Sequence, residues 1–220
     1  MKCSTKGDAM AIKLQLAIDL ADAEMALRMA DQVQDVVDII EVGTPLILRE
    51  GMRAVRLIKA RYPQAVVLAD TKIVDGGAIE AGDAFDAGAD IVTALAVADD
   101  ATLQAVVEAA HQRGKQVMAD MIVVADVASR AVALEAMGVD LVCLHTGVDV
   151  QKSGKTPLAE LAQVMAVLAH AKAAVAGGIT LASLPAVKAL GPEVVVAGSA
   201  LTRAPDLRAA ALAMQAVLRA

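Results

Sequence analysis

One pattern constrains this chain more than any other. Short apolar runs alternate with helical stretches, eight times, at a spacing of about 25 residues. The runs are KLQLAID (13–19), VVDIIEVG (36–43), AVVLADTK (65–72), DIVTALA (90–96), QVMADMIVV (116–124), DLVCLHTG (140–147), KAAVAGG (172–178) and EVVVAGSA (193–200). Segments such as DAEMALRMADQVQ and TLQAVVEAAHQRG lie between them, the second closed by Gly114. GAD and GVD recur before strands (88–90 and 138–140) as helix end, turn and strand start. Apolar strands separated by helices imply a parallel sheet covered by helices. Eight such units in 220 residues predict a single (β/α)8 TIM barrel over residues 12–220 rather than an open doubly wound sheet.

Composition narrows the function. Hydrophobic residues make up 57%, but aromatics are only Tyr62 and Phe85, so aliphatic residues must fill the core. The uncharged run AAVAGGITLASLPAV (173–187) is too short, and too interrupted by Gly177, Gly178 and Pro185, to cross a bilayer. The start, MKCSTKGDAM, lacks the apolar stretch of a signal peptide, so a cytoplasmic protein is expected, with residues 1–11 as a disordered extension. A net charge of −6 without a basic stripe argues against nucleic acid as a partner. Cys3 and Cys143 make no disulfide framework, and Cys143 inside an apolar run reads as a small hydrophobe.

In such barrels chemistry collects at the C-terminal strand ends. Those ends carry Asp19, Glu41, Asp70, Lys72, Asp120 and His145. Strand alternation puts Asp70 and Lys72 on one face, with Val66 and Leu68 below them as barrel filling and Thr71 turned away. Each residue alone has an ordinary structural role, a strand-end Asp as a helix cap above all. Six converging on one rim point to a site. Four acids against one Lys invite a divalent cation, and an oxygen-only set suits Mg²⁺; a zinc site is a poor fit with three histidines. VAGGIT and VAGSAL place Gly177, Gly178, Gly198 and Ser199 just before helices after strands 7 and 8, a pattern that suits a phosphate and hence a phosphorylated substrate.

DTKIVD (70–75) resembles the Asp-x-Lys-x-x-Asp motif of the orotidine monophosphate decarboxylase suprafamily. Glu41 in IIEVGTPL, where the metal-free orotidine enzymes have Lys, resembles the Mg²⁺-dependent branch. That branch contains 3-keto-L-gulonate 6-phosphate decarboxylases and 3-hexulose-6-phosphate synthases. QLAIDL, VDIIEVGTPLILREG, Asp120 in VMADMI and LHTGVDVQ are similar to the synthases; the decarboxylases carry Glu at the Asp120 position and Arg at Val148. The resemblance implies Glu41 and Asp70 as Mg²⁺ ligands and ribulose 5-phosphate and formaldehyde as substrates, joined through an enediolate that the metal stabilises. It implies Lys72, held charged by Asp70 and Asp75, as electrostatic stabiliser and His145 as proton shuttle. Asp19 and Asp120 would position hydroxyls and water, and Thr44 would touch substrate. Asp75 would reach the neighbouring active site of a homodimer. The rival readings are the decarboxylase and, as a non-enzyme, a sugar-phosphate sensor, which would not need Lys72 between acids.

Overall fold

The computed structural model describes residues 11–19 and 22–220. The expected disordered extension lies, for residues 1–10, outside the described residues. Eight strands form: β1 (Lys13–Ile18), β2 (Ile39–Val42), β3 (Val66–Ile73), β4 (Ile91–Leu95), β5 (Gln116–Asp120), β6 (Leu141–His145), β7 (Lys172–Ala176) and β8 (Val194–Ala197). They pair in parallel in sequence order, and β8 closes on β1. The predicted barrel is therefore the observed fold.

The helices are α1 (Ala23–Val33), α2 (Thr44–Glu50), α3 (Arg53–Arg61), α4 (Gly77–Asp86), α5 (Asp100–His111), α6 (Val127–Ala136), α7 (Val148–Gln151), α8 (Leu158–Met165), α9 (Leu184–Leu190), α10 (Ser199–Thr202) and α11 (Leu207–Arg219). Two connections, β2–β3 and β6–β7, carry two helices rather than one, and two helices follow β8. Gly51, at φ 57°, separates α2 from α3. No helix among the described residues is long and apolar enough to cross a membrane.

Period-2 alternation sorts the strand residues into two cores. Outward residues such as Leu14, Leu16, Val67, Val92 and Val142 pack against the helices. Inward residues, among them Ala17, Ile39, Leu68, Ile91, Met118 and Cys143, form a separate plug inside the barrel. Val66 departs from its expected role as filling: it is 39% exposed, because it opens β3 at the lower rim, whereas Leu68 is fully buried.

The bottom of the barrel explains the GAD and GVD repeats. Gly88 and Gly138 take φ 104° and 90°, ending their helices, and the Asp two residues on folds back. Asp90 accepts the Val67 N–H of β3 at 3.0 Å, and Asp140 accepts the Val117 N–H of β5 at 2.9 Å. Asp38 does the same for Leu14 of β1 at 2.8 Å. Each acid precedes an even strand and ties down the odd strand before it. These bonds satisfy N–H groups that the ladder leaves open at its lower edge.

Candidate active site

The site residues sit one pleat above the plug. Moving two residues up each strand turns Ala17 into Asp19, Ile39 into Glu41, Leu68 into Asp70, Ile91 into Thr93, Met118 into Asp120 and Cys143 into His145. Glu41, Asp70 and Asp120 are buried at 7%, 6% and 4% exposure, and the His145 and Lys72 side chains keep partial access to solvent.

Lys72 is the hub. Its Nζ lies 2.6 Å from Asp70 Oδ2 and 3.2 Å from Asp120 Oδ2. Asp120 Oδ2 is also 2.9 Å from His145 Nδ1, which links three strands in one polar chain. Within the chain Asp120, rather than Asp75, is thus the second acid beside Lys72. Burial opposes the ammonium charge, but Asp70 and Asp120 outweigh it and lift the Lys72 pKa above the ordinary lysine value. Burial likewise opposes the Asp120 charge, yet the hydrogen bond from His145 and the Lys72 charge hold its carboxyl below the usual range.

The opposite side of the mouth is strained electrostatically. Burial, and then the Asp70 charge, push Glu41 well above the usual carboxylate range. The same two causes raise Asp19. Glu41 Oε2 accepts a 2.6 Å bond from Gln15 Nε2 inside the plug. Among the described residues no three His, Cys, Asp or Glu side chains form a ready metal cage. Cys143 is buried, and burial holds its thiol protonated, so it is plug rather than nucleophile.

Thr93 is the residue that strand-end reading misses. Ala69 pairs with Val92 and Ile73 with Ala94, so β3 spends four residues where β4 spends two. The excess bulges out at Thr71–Lys72, and Lys72 takes φ 48°, a left-handed value uncommon outside glycine. Thr93 Oγ1 accepts the Lys72 N–H at 2.9 Å and donates to Asp70 Oδ1 at 2.7 Å. Thr44, the first residue of α2, donates to Asp70 O at 2.7 Å and Oδ2 at 2.8 Å. A threonine in a short strand carries no sign of either bond.

Asp75 is exposed on the β3–α4 turn, its Oδ1 accepting the Gly76 N–H, and makes no ion pair with the Lys72 of its own chain. Two expectations meet a different local structure. After β7, Gly177 and Gly178 do not lead directly into a helix: a turn held by Thr180 and Ser183 intervenes before α9. Gly177 is nonetheless required, since a Cβ there would lie 2.2 Å from Thr146 O. After β8 the expectation fits, with Gly198 directly preceding Ser199 and α10. β5 also ends at Asp120, short of the apolar run, because Asp120 Oδ1 takes the Ile122 N–H and turns the chain.

Residues 12–214 match the family described as orotidine 5'-phosphate decarboxylase / HUMPS. The chain belongs to this family. As a member of the orotidine 5'-phosphate decarboxylase / HUMPS family it is an enzyme of the carbon–carbon lyase class. It is 44% identical over 195 residues to the 3-hexulose-6-phosphate synthase of Bacillus subtilis, covering 89% of this chain and 93% of that one. A crystal structure of the Salmonella typhimurium 3-hexulose-6-phosphate synthase superposes with a TM-score of 0.92 at 46% identity, covering 94% of this chain and 98% of that one. The 3-keto-L-gulonate-6-phosphate decarboxylase of Vibrio cholerae is more distant, at 28% identity and TM-score 0.85, covering 95% and 98%. The synthase resemblance drawn from DTKIVD, Glu41, Asp120 and LHTGVDVQ accords with this ordering.

Proposed function

We propose that the barrel mouth joins formaldehyde to D-ribulose 5-phosphate by a Mg²⁺-dependent aldol condensation, giving a hexulose 6-phosphate, and runs the reverse cleavage. The observation that carries the reading is the chain Asp70–Lys72–Asp120–His145 above an apolar plug, with Glu41 across the mouth. A proton leaves C1 of the sugar phosphate, the resulting enediolate carbon attacks the formaldehyde carbon, and the new alkoxide takes up a proton.

The proposed residue roles rest on the family resemblance, and the geometry is compatible with them. His145 carries the proton, since its Nδ1 is fixed on Asp120 and its ring retains access to the mouth. Lys72, held charged between two acids, stabilises the negative charge that grows on the substrate oxygens. Asp19 and Asp120 orient hydroxyls and water, and Thr44 contacts substrate while holding Asp70. Gly177, Gly178, Gly198 and Ser199 hold the phosphate by backbone N–H groups.

The donor set suits Mg²⁺. Glu41 and Asp70 would supply two protein carboxylates, burial and the Asp70 charge disfavour the Glu41 charge in the absence of a cation, and water and substrate oxygens would complete the set. When bound, the ion supplies Lewis-acid charge to neighbouring sugar oxygens.

Exposed apolar side chains on the rim favour a homodimer, and the cytoplasmic reading rests on the sequence alone. Leu48, Val74, Ile79, Val97 and Val123 are exposed on the connections that follow β2 to β5, and Asp75 is exposed on the same β3–α4 turn as Val74. The deciding assay measures Mg²⁺-dependent formaldehyde fixation on ribulose 5-phosphate beside decarboxylation of 3-keto-L-gulonate 6-phosphate. Fixation as the faster reaction is expected; decarboxylation without fixation, or binding without turnover, overturns the reading.

A further inference from the structure

Gln15 has no reason to be where it is unless it acts on Glu41. It lies inside the barrel at 1% exposure, and its cross-strand neighbours are Ile39 and Val196 of the apolar plug. Its Oε1 has no hydrogen-bond partner. Leaving a buried amide oxygen unpaired is costly, and an aliphatic residue at this position would avoid the cost. Gln215 also carries an orphan Oε1, but its Nε2 holds both Val36 O and Asp38 Oδ2, so its bonds support the frame. Gln15 makes a single side-chain bond, the 2.6 Å contact from Nε2 to Glu41 Oε2. Glu41 Oε1 accepts no hydrogen bond among the described residues.

We propose that Gln15 is a positioning residue: it anchors one oxygen of Glu41 in the barrel interior and so presents the other to a divalent cation at the mouth. The proposal rests on the reading of Glu41 as a metal ligand. A carboxylate tied at one oxygen is restricted to one-oxygen coordination in a fixed direction. Partners behind a metal ligand orient it in this way, and removing one typically weakens metal binding by about 10–100-fold. Sequence alone hides the role, because residue 15 reads as one polar interruption in a strand.

The test uses Mn²⁺ alone as probe, with free ion followed by electron paramagnetic resonance, on the full-length wild type, Q15L, E41Q and the double variant. Q15L keeps the side-chain volume and exchanges the orphan oxygen for a Glu41 Oε2 without its donor, so the fold should persist at a similar or lower melting temperature while its Mn²⁺ dissociation constant rises about 10–100-fold. E41Q should lose binding, and Q15L should have no further effect in that background. Wild-type affinity in Q15L, with E41Q impaired, overturns the positioning role and leaves the metal reading intact. Wild-type affinity in E41Q overturns both. Q15M serves if Q15L does not fold, with the same expected loss of affinity and the same refuting result.

Discussion

Replacing Thr93 with valine isolates the device that holds Lys72 in its unusual conformation. The change keeps the β-branched shape in a buried position and deletes one hydroxyl. Asp70 Oδ1 loses its 2.7 Å donor and the Lys72 N–H loses its 2.9 Å acceptor. A hydrogen bond to a charged group contributes about 1.5–3 kcal/mol, and a stranded donor costs about 1–3 kcal/mol. The lower ends apply, because Asp70 keeps Lys72 and Thr44 on its other oxygen and the Lys72 amide borders the open mouth. The expected loss is therefore about 2–3 kcal/mol. In a domain of this size that lowers the melting temperature by about 5–10 °C. The rate should suffer more than the fold. Without its N–H anchored, Lys72 relaxes from φ 48° and its ammonium leaves Asp120. A misplacement of about 1 Å costs on the order of 100-fold in rate. Steady-state kinetics on the formaldehyde reaction should show kcat falling by that factor with KM little changed, and calorimetry should show the loss of stability. Thr93→Ser keeps the hydroxyl and should restore kcat while remaining less stable than wild type. A Thr93→Val enzyme with wild-type kcat would refute the anchoring of Lys72, and a Thr93→Ser enzyme as slow as Thr93→Val would show that the hydroxyl alone does not set the rate.

Free of divalent metal, Glu41→Gln should melt higher than wild type at neutral pH. Burial and Asp70 raise the folded pKa of Glu41, so its ionisation destabilises the fold as pH rises from the unfolded value of about 4.3 to the raised one. The gain from the amide should thus be full above the raised value and vanish below about pH 4 in a melting series; an equal gain at every pH would contradict it. Asp120 has the opposite sign: its lowered folded pKa contributes stability above about pH 4 that is lost as pH falls through the folded value. Asp120→Asn should therefore show a deficit that shrinks in acid, and a pH-independent deficit would count against the His145 and Lys72 pairing. Exhaustive chelation should abolish activity and Mg²⁺ should return it; full activity after chelation excludes the metal role. Asp75→Asn and Lys72→Ala homodimers should each be nearly inactive, while equal amounts reassociated at random should regain about a quarter of wild-type activity from one intact site in every mixed dimer. No recovery after proven subunit exchange would confine Asp75 to its own chain.

The barrel was legible because its two periods are local. Alternation within strands and helical spacing between them are written in neighbouring residues, and so is the set Asp19, Glu41, Asp70, Asp120 and His145, each two residues above a plug residue. What the periods miss is irregular. The β3 bulge breaks the alternation that places Lys72, and its cause, Thr93, lies 21 residues away in sequence. The apolar run after Asp120 reads as continued strand, yet one carboxylate–amide bond turns it. Val66 counts as filling in the pattern, but only the stagger of the barrel decides which inward residues reach its rim. Gln15 reads as noise because its partner stands on another strand, 26 residues on.

The three carboxylates beneath the barrel also divide it into building blocks. Asp38, Asp90 and Asp140 fasten β1 to the start of β2, β3 to the start of β4 and β5 to the start of β6, each within a strand–helix–strand segment. No carboxylate–amide clasp of this kind runs from β2 to β3 or from β4 to β5 among the described residues, where Asp90 instead forms ion pairs with Lys59 and Lys115. The chain is therefore best reopened between blocks. A circular permutant with new ends in the exposed turn at 63–64, before β3, keeps every clasp local in sequence, so each block can still close by itself during folding. Ends placed between β3 and Asp90 turn one clasp into a contact between opposite termini, which must then wait for the whole ring to assemble.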